Sequence, residues 1–455
     1  MPPVYARFSV QLGKMLDEKK IVGTNLAPYL RNGDVQWDRV NTADLPEMDF
    51  SAEDRERFTL RKGDLLVCEG GEVGRTAIWD GLLAECYFQK AIHRLRPTTE
   101  QDEPRFFRYF MRTAVESGLF ELATASTIQH LPAEKLRIVR YPAPPRPEQR
   151  AIADYLDRET ARLDAMLAAK ERVLGLLAEK RRALITRAVT RGLDARVPLR
   201  DSGIPWLGEI PAHWKVVALR FLVDVASGAT PDTGKPELWD GEIPWVSPKD
   251  MKRDEIDDAQ DHVSPAALSG GALRLVEPGT VLIVVRGMIL AHSFPTATTT
   301  NPVTINQDMK ALRCRPMLEG QYLRDFFRGL AEHIVSLADS SAHGTRKLET
   351  QVLGRLEVCV PPLGEQEAIN SQIKIGTSRL DAIVSETERT IALLKERRAA
   401  LIAAAVTGQI AIADGCRMTH IAVRSEMLRW ACERTEYAPR LSAPPVGSPG
   451  RKLGG

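Results

Sequence analysis

Two long stretches of the chain carry apolar side chains at seven-residue intervals. The positions are Leu156, Leu163, Leu177 and Leu184 in the first stretch, and Ile373, Leu380, Leu394 and Leu401 in the second. The slot that each series skips holds Lys170 in the first stretch and Thr387 in the second. This spacing places the apolar side chains along one stripe of an α-helix and is typical of a coiled-coil seam. The pattern predicts two long helices that are interrupted at the same level, with these apolar residues as their interface.

The two stretches are copies of one another. Residues 148–190 align without a gap with residues 365–407, and prolines precede both, where a helix can begin but not continue. A helix of about 43 residues would be about 64 Å long at about 1.5 Å per residue, and it needs a partner to cover its apolar stripe. We therefore expect the two helices to pack antiparallel, related by a pseudo-twofold axis. The alternative is that each is only the terminal helix of its own domain.

The segments before the two helices also resemble each other, although more weakly. Residues 61–67 and 277–283 both predict a tight turn that leads into a buried strand. A glycine-bearing loop follows in each segment, then a short strand ending at Pro97 or Pro316, a helical stretch (104–122 and 320–337) and a polar segment. The chain therefore alternates twice between a mixed α/β unit and a long helix.

The composition is that of an ordinary soluble protein. Of the 455 residues, 44% are hydrophobic and 27% are charged, and the formal net charge is +2. This charge neither supports nor excludes nucleic-acid binding, because local basic patches matter more than the total. No apolar run approaches the roughly 20 residues that span a bilayer, and the start lacks a secretory pattern, so we expect a cytoplasmic protein without membrane contact. The six cysteines show no metal-ligand spacing and are expected to be reduced.

The sequence contains no convincing catalytic motif. The loop at residues 228–236 is the nearest approach to a phosphate-binding loop, but Pro236 stands where Ser or Thr would reach magnesium. Asn301-Pro302 lacks the second proline and the aromatic residue of an amino-methyltransferase motif. We therefore expect no catalytic residue, no bound cofactor and no metal site on this chain.

Several motifs together resemble those of type I restriction–modification specificity subunits. A diproline and a Glu-Gln pair stand at the start of each long helix: Pro144-Pro145 and Glu148-Gln149, then Pro361-Pro362 and Glu365-Gln366. Each helix contains an Arg-Leu-Asp run, Arg162-Leu163-Asp164 and Arg379-Leu380-Asp381. A distinctive segment follows the first helix: Asp201-Ser202-Gly203-Ile204-Pro205-Trp206-Leu207-Gly208-Glu209-Ile210-Pro211-Ala212-His213-Trp214. The resemblance covers roughly residues 1–412. It implies an α+β fold in which two mixed α/β target-recognition domains alternate with two long helices that form an antiparallel, pseudo-twofold coiled coil.

The expected domain boundaries follow from the repeat and the resemblance. Residues 1–143 form the first target-recognition domain, which begins without the Trp-bearing segment that precedes the second, a difference that could shorten its start. Residues 144–198 form the first long helix and a linker, 199–360 the second target-recognition domain, and 361–413 the second long helix. Residues 414–455 form an atypical tail, with helical character from Met418 to Ala431 and disorder beyond it.

The resemblance also implies a function and partners. Each target-recognition domain would recognise one half of a bipartite, asymmetric site in double-stranded DNA, and the helices would dock two methyltransferase subunits, with motor-nuclease subunits joining the complex. The chain itself would be non-catalytic. S-adenosylmethionine, ATP and magnesium would be bound by the partner subunits.

Family membership does not determine which residues contact bases, so the candidates come from residue chemistry. Hydrogen-bonding and basic side chains on loops are the groups that can enter a DNA groove. The candidates are Arg75, Gln89, Lys90, Thr127, Gln129 and His130 in the first domain, and Lys249, Arg253, Arg286, Thr345, Arg346 and Lys347 in the second.

Two other classes of protein remain as alternatives. One is a fused restriction–modification enzyme with its own catalytic activity, which the missing motifs disfavour. The other is a coiled-coil scaffold that binds proteins only. Methyl transfer by the purified chain would favour the first alternative, and sequence-specific DNA binding together with the methyltransferase would exclude the second.

Overall fold

The structure is a computed structural model that describes residues 1–17, 22–120, 130–340, 345–412 and 418–419. Its α-helices are α1 (Ala52–Phe58), α2 (Pro104–Glu116), α3 (Ala133–Ile138), α4 (Arg146–Arg191), α5 (Pro265–Leu268), α6 (Gly320–Gly329), α7 (Ala331–Ser336), α8 (Thr350–Arg355) and α9 (Leu363–Val406). The strands of the first half are β1 (Phe8–Leu12), β2 (Leu26–Leu30), β3 (Val35–Gln36), β4 (Arg39–Val40), β5 (Glu47–Asp49), β6 (Leu65–Cys68), β7 (Thr76–Ile78), β8 (Tyr87–Phe88) and β9 (Ile92–Pro97).

The strands after α4 are β10 (Leu199–Asp201), β11 (Glu209–Pro211), β12 (Lys215–Ala218), β13 (Val223–Ser227), β14 (Ile243–Val246), β15 (Glu255–Ile256), β16 (Asp261–Val263), β17 (Val281–Val284), β18 (Arg286–Gly287), β19 (Thr296–Thr299), β20 (Thr304–Ile305), β21 (Met309–Cys314), β22 (Asp339–Ser340), β23 (Arg346–Lys347), β24 (Glu357–Val360), β25 (Ala411–Ile412) and β26 (Met418–Thr419). Short 3₁₀ turns cover Val4–Ala6, Asn32–Asp34, Leu219–Phe221, Pro236–Leu238 and Met288–Ala291.

The chain divides into two compact units, and each contains part of both long helices. Unit 1 comprises residues 1–168 and 391–455, and unit 2 comprises residues 169–390. Each unit therefore consists of one mixed α/β domain, the expected target-recognition domain (below, the recognition domain), together with a segment of α4 and a segment of α9. In this respect the three-dimensional units do not follow the linear order of domain and helix.

Both units contain the same two sheets. In unit 1 the larger sheet has the order β1-β9-β6-β7, and in unit 2 the order is β13-β21-β17-β19-β15. The smaller sheets, β5-β2-β8 and β16-β14-β20, each pair one antiparallel and one parallel neighbour with the central strand. The equivalent strand orders confirm the predicted duplication of a mixed α/β domain. Unit 2 adds β15 at the edge of its larger sheet.

The two long helices are those that the heptads predict, and they pack antiparallel. In unit 1 the guanidinium of Arg398 on α9 donates to Asp164 on α4, with 2.9 Å between Nε and Oδ1. In unit 2 Arg181 on α4 donates to Asp381 on α9. Arg181 lies 17 residues after Asp164 on α4 (181 minus 164). Its partner Asp381 lies 17 residues before Arg398, the partner of Asp164, on α9 (398 minus 381).

These contacts exchange the roles of the two helices. Adding 217 to Arg181 gives Arg398, and adding 217 to Asp164 gives Asp381. The arginine that α4 contributes in unit 2 is therefore the copy of the arginine that α9 contributes in unit 1. Within each unit the segments of α4 and α9 are therefore antiparallel, as predicted, and the two units make the same contact with the roles of the helices exchanged.

The heptad residues differ in how deeply they are buried. Leu156, Leu163, Ile373, Leu380 and Leu394 are buried. The remaining three, Leu177, Leu184 and Leu401, are half-buried. At the shared interruption Thr387 is buried and its hydroxyl donates to the carbonyl of Ile383 at 2.7 Å, so the polar group is satisfied within its own helix.

Apolar side chains join each recognition domain to its helix segments. In unit 1 Phe106 of α2 packs with Leu156 of α4 and Ile402 of α9 in one buried cluster. In unit 2 the equivalent residues Tyr322, Ile373 and Ile185 lie in the main core. The duplicated junction explains why the helices retain similar sequences, because the same apolar positions serve both the helix partner and the domain.

The start of each long helix is fastened by a glutamine from the Glu-Gln motif. In unit 1 the amide of Gln149 donates to Pro144 O at 2.7 Å, and its oxygen accepts from Glu103 N at 2.9 Å. In unit 2 the amide of Gln366 donates to Pro361 O at 2.9 Å and accepts from Glu319 N at 2.9 Å. Both glutamines are buried, and each satisfies the backbone at the start of α2 or α6.

Three details differ from the sequence expectations. The single helical stretch expected over 320–337 is two helices, α6 and α7. The break follows Gly329, whose carbonyl accepts from the hydroxyl of Thr186 at 2.7 Å. The stretch expected over 104–122 ends at Glu116 as a helix. The tail was expected to be helical from Met418, but Met418–Thr419 forms β26 and pairs with β25; the rest of that expectation lies outside the described residues.

The two recognition domains also differ near their starts. In unit 2, β12 pairs with β24 over four residue pairs, from Lys215↔Val360 to Ala218↔Glu357. At the corresponding place in unit 1 there is an isolated bridge between Pro3 and Arg140. The next strand is present in both units, as β1 and as β13, and it pairs with five residues of its neighbour in each.

Candidate nucleic-acid interface

The strand in the middle of each larger sheet leads into a loop that meets the segment after the domain's helix. In unit 2 that loop forms β18, which pairs antiparallel with β23; Arg286 lies opposite Lys347, and Gly287 lies opposite Arg346. In unit 1 the loop after β6 forms a bridge between Gly70 and His130. Adding 216 to Gly70 gives Arg286, and adding 217 to His130 gives Lys347. The two domains therefore build this edge from equivalent positions with different side chains.

The edge in unit 2 is basic. Arg286 and Lys347 are exposed, and Arg346 and Lys310 are half-buried. Burial lowers the pKa of Lys310, and the positive charge of Lys347 lowers it further. Lys310 donates to Ser227 Oγ at 2.8 Å, while Lys347 Nζ lies 2.6 Å from Glu349 Oε1. We name Arg286, Lys310, Arg346 and Lys347 the basic edge.

The basic edge contains three residues that the sequence singled out and one that it did not. The structure brings together Arg286, Arg346 and Lys347, and Thr345 directly precedes Arg346 in the chain. Lys310 was missed because it lies within a strand rather than a loop. A charged side chain between the apolar residues Met309 and Ala311 was the signal that could have identified it.

The equivalent of Lys310 in unit 1 is a buried histidine that fixes the edge from inside. His93 has no exposed surface, and its Nε2 lies 2.7 Å from Leu131 O, next to His130. The carbonyl requires a proton on Nε2, whereas buried Nδ1 has no hydrogen-bond partner among the described residues. Burial lowers the pKa of His93, so the imidazole is neutral in the folded protein.

We expect His93 to make unit 1 less stable in acid. The unfolded chain binds a proton at a pKa near 6.5, while the folded protein binds one only at lower pH; stability is therefore lost as pH falls below about 6.5. Replacement His93→Gln keeps a donor for Leu131 O and removes the titration. The difference in unfolding midpoint between about pH 7.5 and about pH 5.5 should shrink in this variant. The exposed His292→Gln variant is the control, and an undiminished pH dependence in His93→Gln would contradict the assignment.

A second pair of equivalent turns lies where the two sheets of each domain meet. Gly13 crosses the backbone of Gln89 so closely that a Cβ there would lie 2.3 Å from Gln89 O. In unit 2 a Cβ on Gly228 would lie 2.0 Å from Asn306 O. Only glycine permits this approach. Gln89 is half-buried and Lys90 is exposed on this turn, which adjoins the bridge at Gly70, because Ala91 O accepts from Glu69 N at 2.9 Å.

The remaining described candidates are engaged in contacts of their own. The side chain of Arg75 is only 12% exposed, and its Nη2 donates to Asn32 O at 2.9 Å, which is a structural contact within unit 1. Lys249 is exposed and lies 2.6 Å from Asp261, and Arg253 is exposed and lies 3.0 Å from Asp257. Neither residue adjoins the basic edge in the sheet pairing of the described strands. Thr127 and Gln129 lie outside the described residues.

The linker motif after α4 has a contact with the start of α9. Trp214 Nε1 donates to Glu365 Oε1 at 3.1 Å, and His213 Nε2 lies 2.8 Å from Glu365 Oε2. Glu365 stands in the first turn of α9, where its negative charge is favourable. Two of the motifs that define the resemblance are thus joined within unit 2.

Two further features concern metal binding and membrane insertion. Within the described ranges, no three or more His, Cys, Asp and Glu side chains are grouped so that they could hold a metal ion. In that same part of the chain, no helix combines the length and apolar character that crossing a membrane requires.

Known proteins resemble this chain in sequence. The family model described as type I restriction modification DNA specificity domain matches residues 9–173 and 211–393. The specificity subunit of the type I restriction enzyme EcoR124I/EcoR124II of Escherichia coli is 29% identical over 179 residues, which are 39% of this chain and 41% of that protein. The MjaIX specificity subunit of Methanocaldococcus jannaschii is 29% identical over 168 residues, 36% of this chain and 38% of that protein. The matches span about two fifths of these relatives.

Solved structures share the fold over most of the chain. One, described as the structural basis underlying complex assembly and conformational transition of the type I R-M system, has a TM-score of 0.70 at 16% identity and covers 89% of this chain and 96% of its own. The HsdS subunit from Thermoanaerobacter tengcongensis has a TM-score of 0.50 at 17% identity, with 90% and 96% covered. At these identities the likeness concerns the fold. Because the family model matches both recognition domains and most of the chain, this protein belongs to the family of type I restriction–modification DNA specificity domains.

Proposed function

We propose that this chain is the DNA-recognition subunit of a type I restriction–modification complex. Each target-recognition domain recognises one half of a bipartite, asymmetric site in double-stranded DNA. The observation that carries the proposal is the equivalent edge of the two domains, with Gly70 and His130 in one and Arg286 and Lys347 in the other. One fold that presents different side chains at the same place suits two different half-sites.

The basic edge suits contact with DNA for a physical reason. Arginine and lysine neutralise phosphates and release counterions, and arginine can also bind guanine with two hydrogen bonds in the major groove. Arg286 and Arg346 lie on paired strands, which fix the spacing between their guanidinium groups better than a free loop would. Lys310 lies beside them, and the positive charge of Lys347, after burial, lowers the pKa of Lys310, which reflects the crowding of basic groups at this edge.

The long helices are proposed to dock two methyltransferase subunits, which motor-nuclease subunits then join. Exposed apolar residues recur at equivalent positions of α4 and α9, as Met166 and Ile383 and as Leu176 and Leu393, and all four are more than two-fifths exposed. A duplicated apolar surface is suited to two copies of one partner. The complex would act in the cytoplasm. In this proposal the chain is non-catalytic, and S-adenosylmethionine, ATP and magnesium belong to the partner subunits.

Genome-wide mapping of methylated adenines tests the proposal. We expect expression of this chain together with its methyltransferase to place methyl groups in one split sequence with a constant spacer, and the methyltransferase alone to place none there. The purified chain alone should transfer no methyl group to DNA. Methyl transfer by the chain alone would favour the fused enzyme, and a methyltransferase complex that binds no specific DNA would favour the scaffold.

A further inference from the structure

An aspartate in each recognition domain is linked through an arginine to both long helices. In unit 1 Asp38 lies between β3 and β4 and accepts from Arg112 of α2 at 3.3 Å, and its Oδ1 lies 3.2 Å from Nε of Arg108 on the same helix. Its Oδ2 also lies 3.7 Å from Arg398 of α9, and Arg398 in turn donates to Asp164 of α4 at 2.9 Å. We name this set the Asp38 link.

The same link occurs in unit 2 with the helices exchanged. Asp254 accepts from Arg328 of α6 at 2.7 Å and lies 4.0 Å from Arg181 of α4. Arg181 also donates to Asp381 of α9. Adding 216 to Asp38 gives Asp254, and adding 216 to Arg112 gives Arg328. We name this set the Asp254 link.

The recurrence distinguishes the links from ordinary surface ion pairs. Isolated exposed pairs contribute little to stability, whereas networks of partly buried charges contribute more. The side chains of Arg398 and Arg181 are 12% and 29% exposed. Each arginine donates to one aspartate of the other long helix and lies within 4.0 Å of the aspartate of its recognition domain, so its positive charge faces two carboxylates. Asp164 and Asp381 belong to the two Arg-Leu-Asp motifs, so each motif supplies the carboxylate that binds the arginine of the opposite helix.

We propose that Arg398 and Arg181 are positioning residues for recognition of the split DNA site. Each holds the β-strand side of its recognition domain to the helix pair and so fixes the orientation of the domain on its helices. The inference rests on the proposed function, because orientation matters through the spacer between half-sites. One added base pair moves a half-site by about 3.4 Å and turns it by about 35°. A domain held at one angle therefore accepts one spacer length.

The two links are reinforced by different contacts. In unit 1 Arg105 of α2 also binds Asp154 and Asp157 of α4, at 2.8 and 2.7 Å. The equivalent positions in unit 2 hold Gln321, Ser371 and Lys374, which line a polar cleft of about 470 Å³ beside Arg181. Unit 2 joins its domain to α4 by other contacts, in which Arg182 donates to Glu332 of α7 and Thr186 donates to Gly329 O of α6.

Binding to DNA with altered spacers tests the proposal. The variants Asp38→Asn and Asp254→Asn keep the side-chain shape, and asparagine tolerates the positive φ of 64° at position 38. In complex with the methyltransferase subunits, each variant should bind the cognate spacer less selectively than the parent does, relative to spacers changed by one base pair. We expect the preference to fall by about threefold to tenfold in each variant.

Two controls separate positioning from stability. Asp224→Asn removes an exposed ion pair with Arg315 elsewhere in unit 2 and should leave the spacer preference unchanged. Arg398→Lys keeps the charge but loses the two-point contact of Nε and Nη2 with Asp164 that holds the guanidinium beside Asp38, so it should lose preference while retaining most of the thermal stability. Unchanged preference in both aspartate variants, in a complex that binds its site, would overturn the positioning role alone. A parent complex that binds no split site would overturn this role and the proposed function together.

Discussion

The variant Leu156→Ala is expected to lose about 2–5 kcal/mol of unfolding free energy, the largest stability effect that we predict. Leu156 has no exposed surface and packs with Phe106, Ile402 and Ala405, so it contacts the recognition domain and both helices. Alanine would leave a cavity at the junction of three elements. None of them can move to fill the cavity without disturbing the others, which places the loss in the upper part of that range.

Urea unfolding monitored by circular dichroism measures this loss. Met166→Ala is the matched control, since Met166 lies on the same helix in the same unit but is 43% exposed. Its stability should change by about 0.5 kcal/mol or less. A loss of similar size in both variants would show that Leu156 is not the centre of the junction.

The second large effect is expected from the basic edge. Replacing Arg346 and Lys347 by alanine should weaken specific DNA binding by about 1–3 kcal/mol for each DNA-binding side chain removed. Arg346 and Lys347 lie on β23, opposite Gly287 and Arg286, and alanine preserves the backbone pairing of this strand. The affinity should be measured in the complex with the methyltransferase at several salt concentrations. Removal of a phosphate-binding group makes the affinity depend less steeply on salt concentration, whereas removal of a base-reading group relaxes sequence specificity.

The control for this variant is Lys215→Ala. Lys215 is exposed, as Lys347 is, but it belongs to β12, whose partner is β24 and not the basic edge. It should change affinity little and leave the preference for the second half-site unchanged. Unchanged affinity and unchanged half-site preference in the Arg346 and Lys347 variant would remove both residues from the candidates.

The long helices and the duplicated domains were accessible from sequence for a simple reason. Periodicity and an ungapped repeat are local properties, and the structure places the predicted helices within about two residues, at Arg146–Arg191 and Leu363–Val406. The buried strands after residues 63 and 279 were equally clear, because a turn followed by an aliphatic run has few other solutions. The break after Gly329 was not predictable, since it depends on Thr186, far away along the chain.

The candidate DNA-binding residues were only partly accessible. Arg286, Arg346 and Lys347 were chosen separately by chemistry and lie on adjoining strands, whereas Arg75 was chosen on the same grounds and is held inside its domain by Asn32. Residue type indicates what a side chain can bind, but exposure and neighbours decide whether it is available. Lys310 was not chosen because it lies within a strand, and Asp38 was not chosen because its arginine partners are remote in sequence.

The sequence by itself determined the repeat, the two helices, their heptad stripe and the family resemblance. These features depend on residues near one another in the chain or on copies of one segment. Only the tertiary structure decided that each unit combines one domain with parts of both helices, and that Asp38 and Asp254 each meet an arginine of a long helix. Those ion pairs join residues that are remote along the chain, and a single sequence contains no periodic signal for ion pairs formed at such separations.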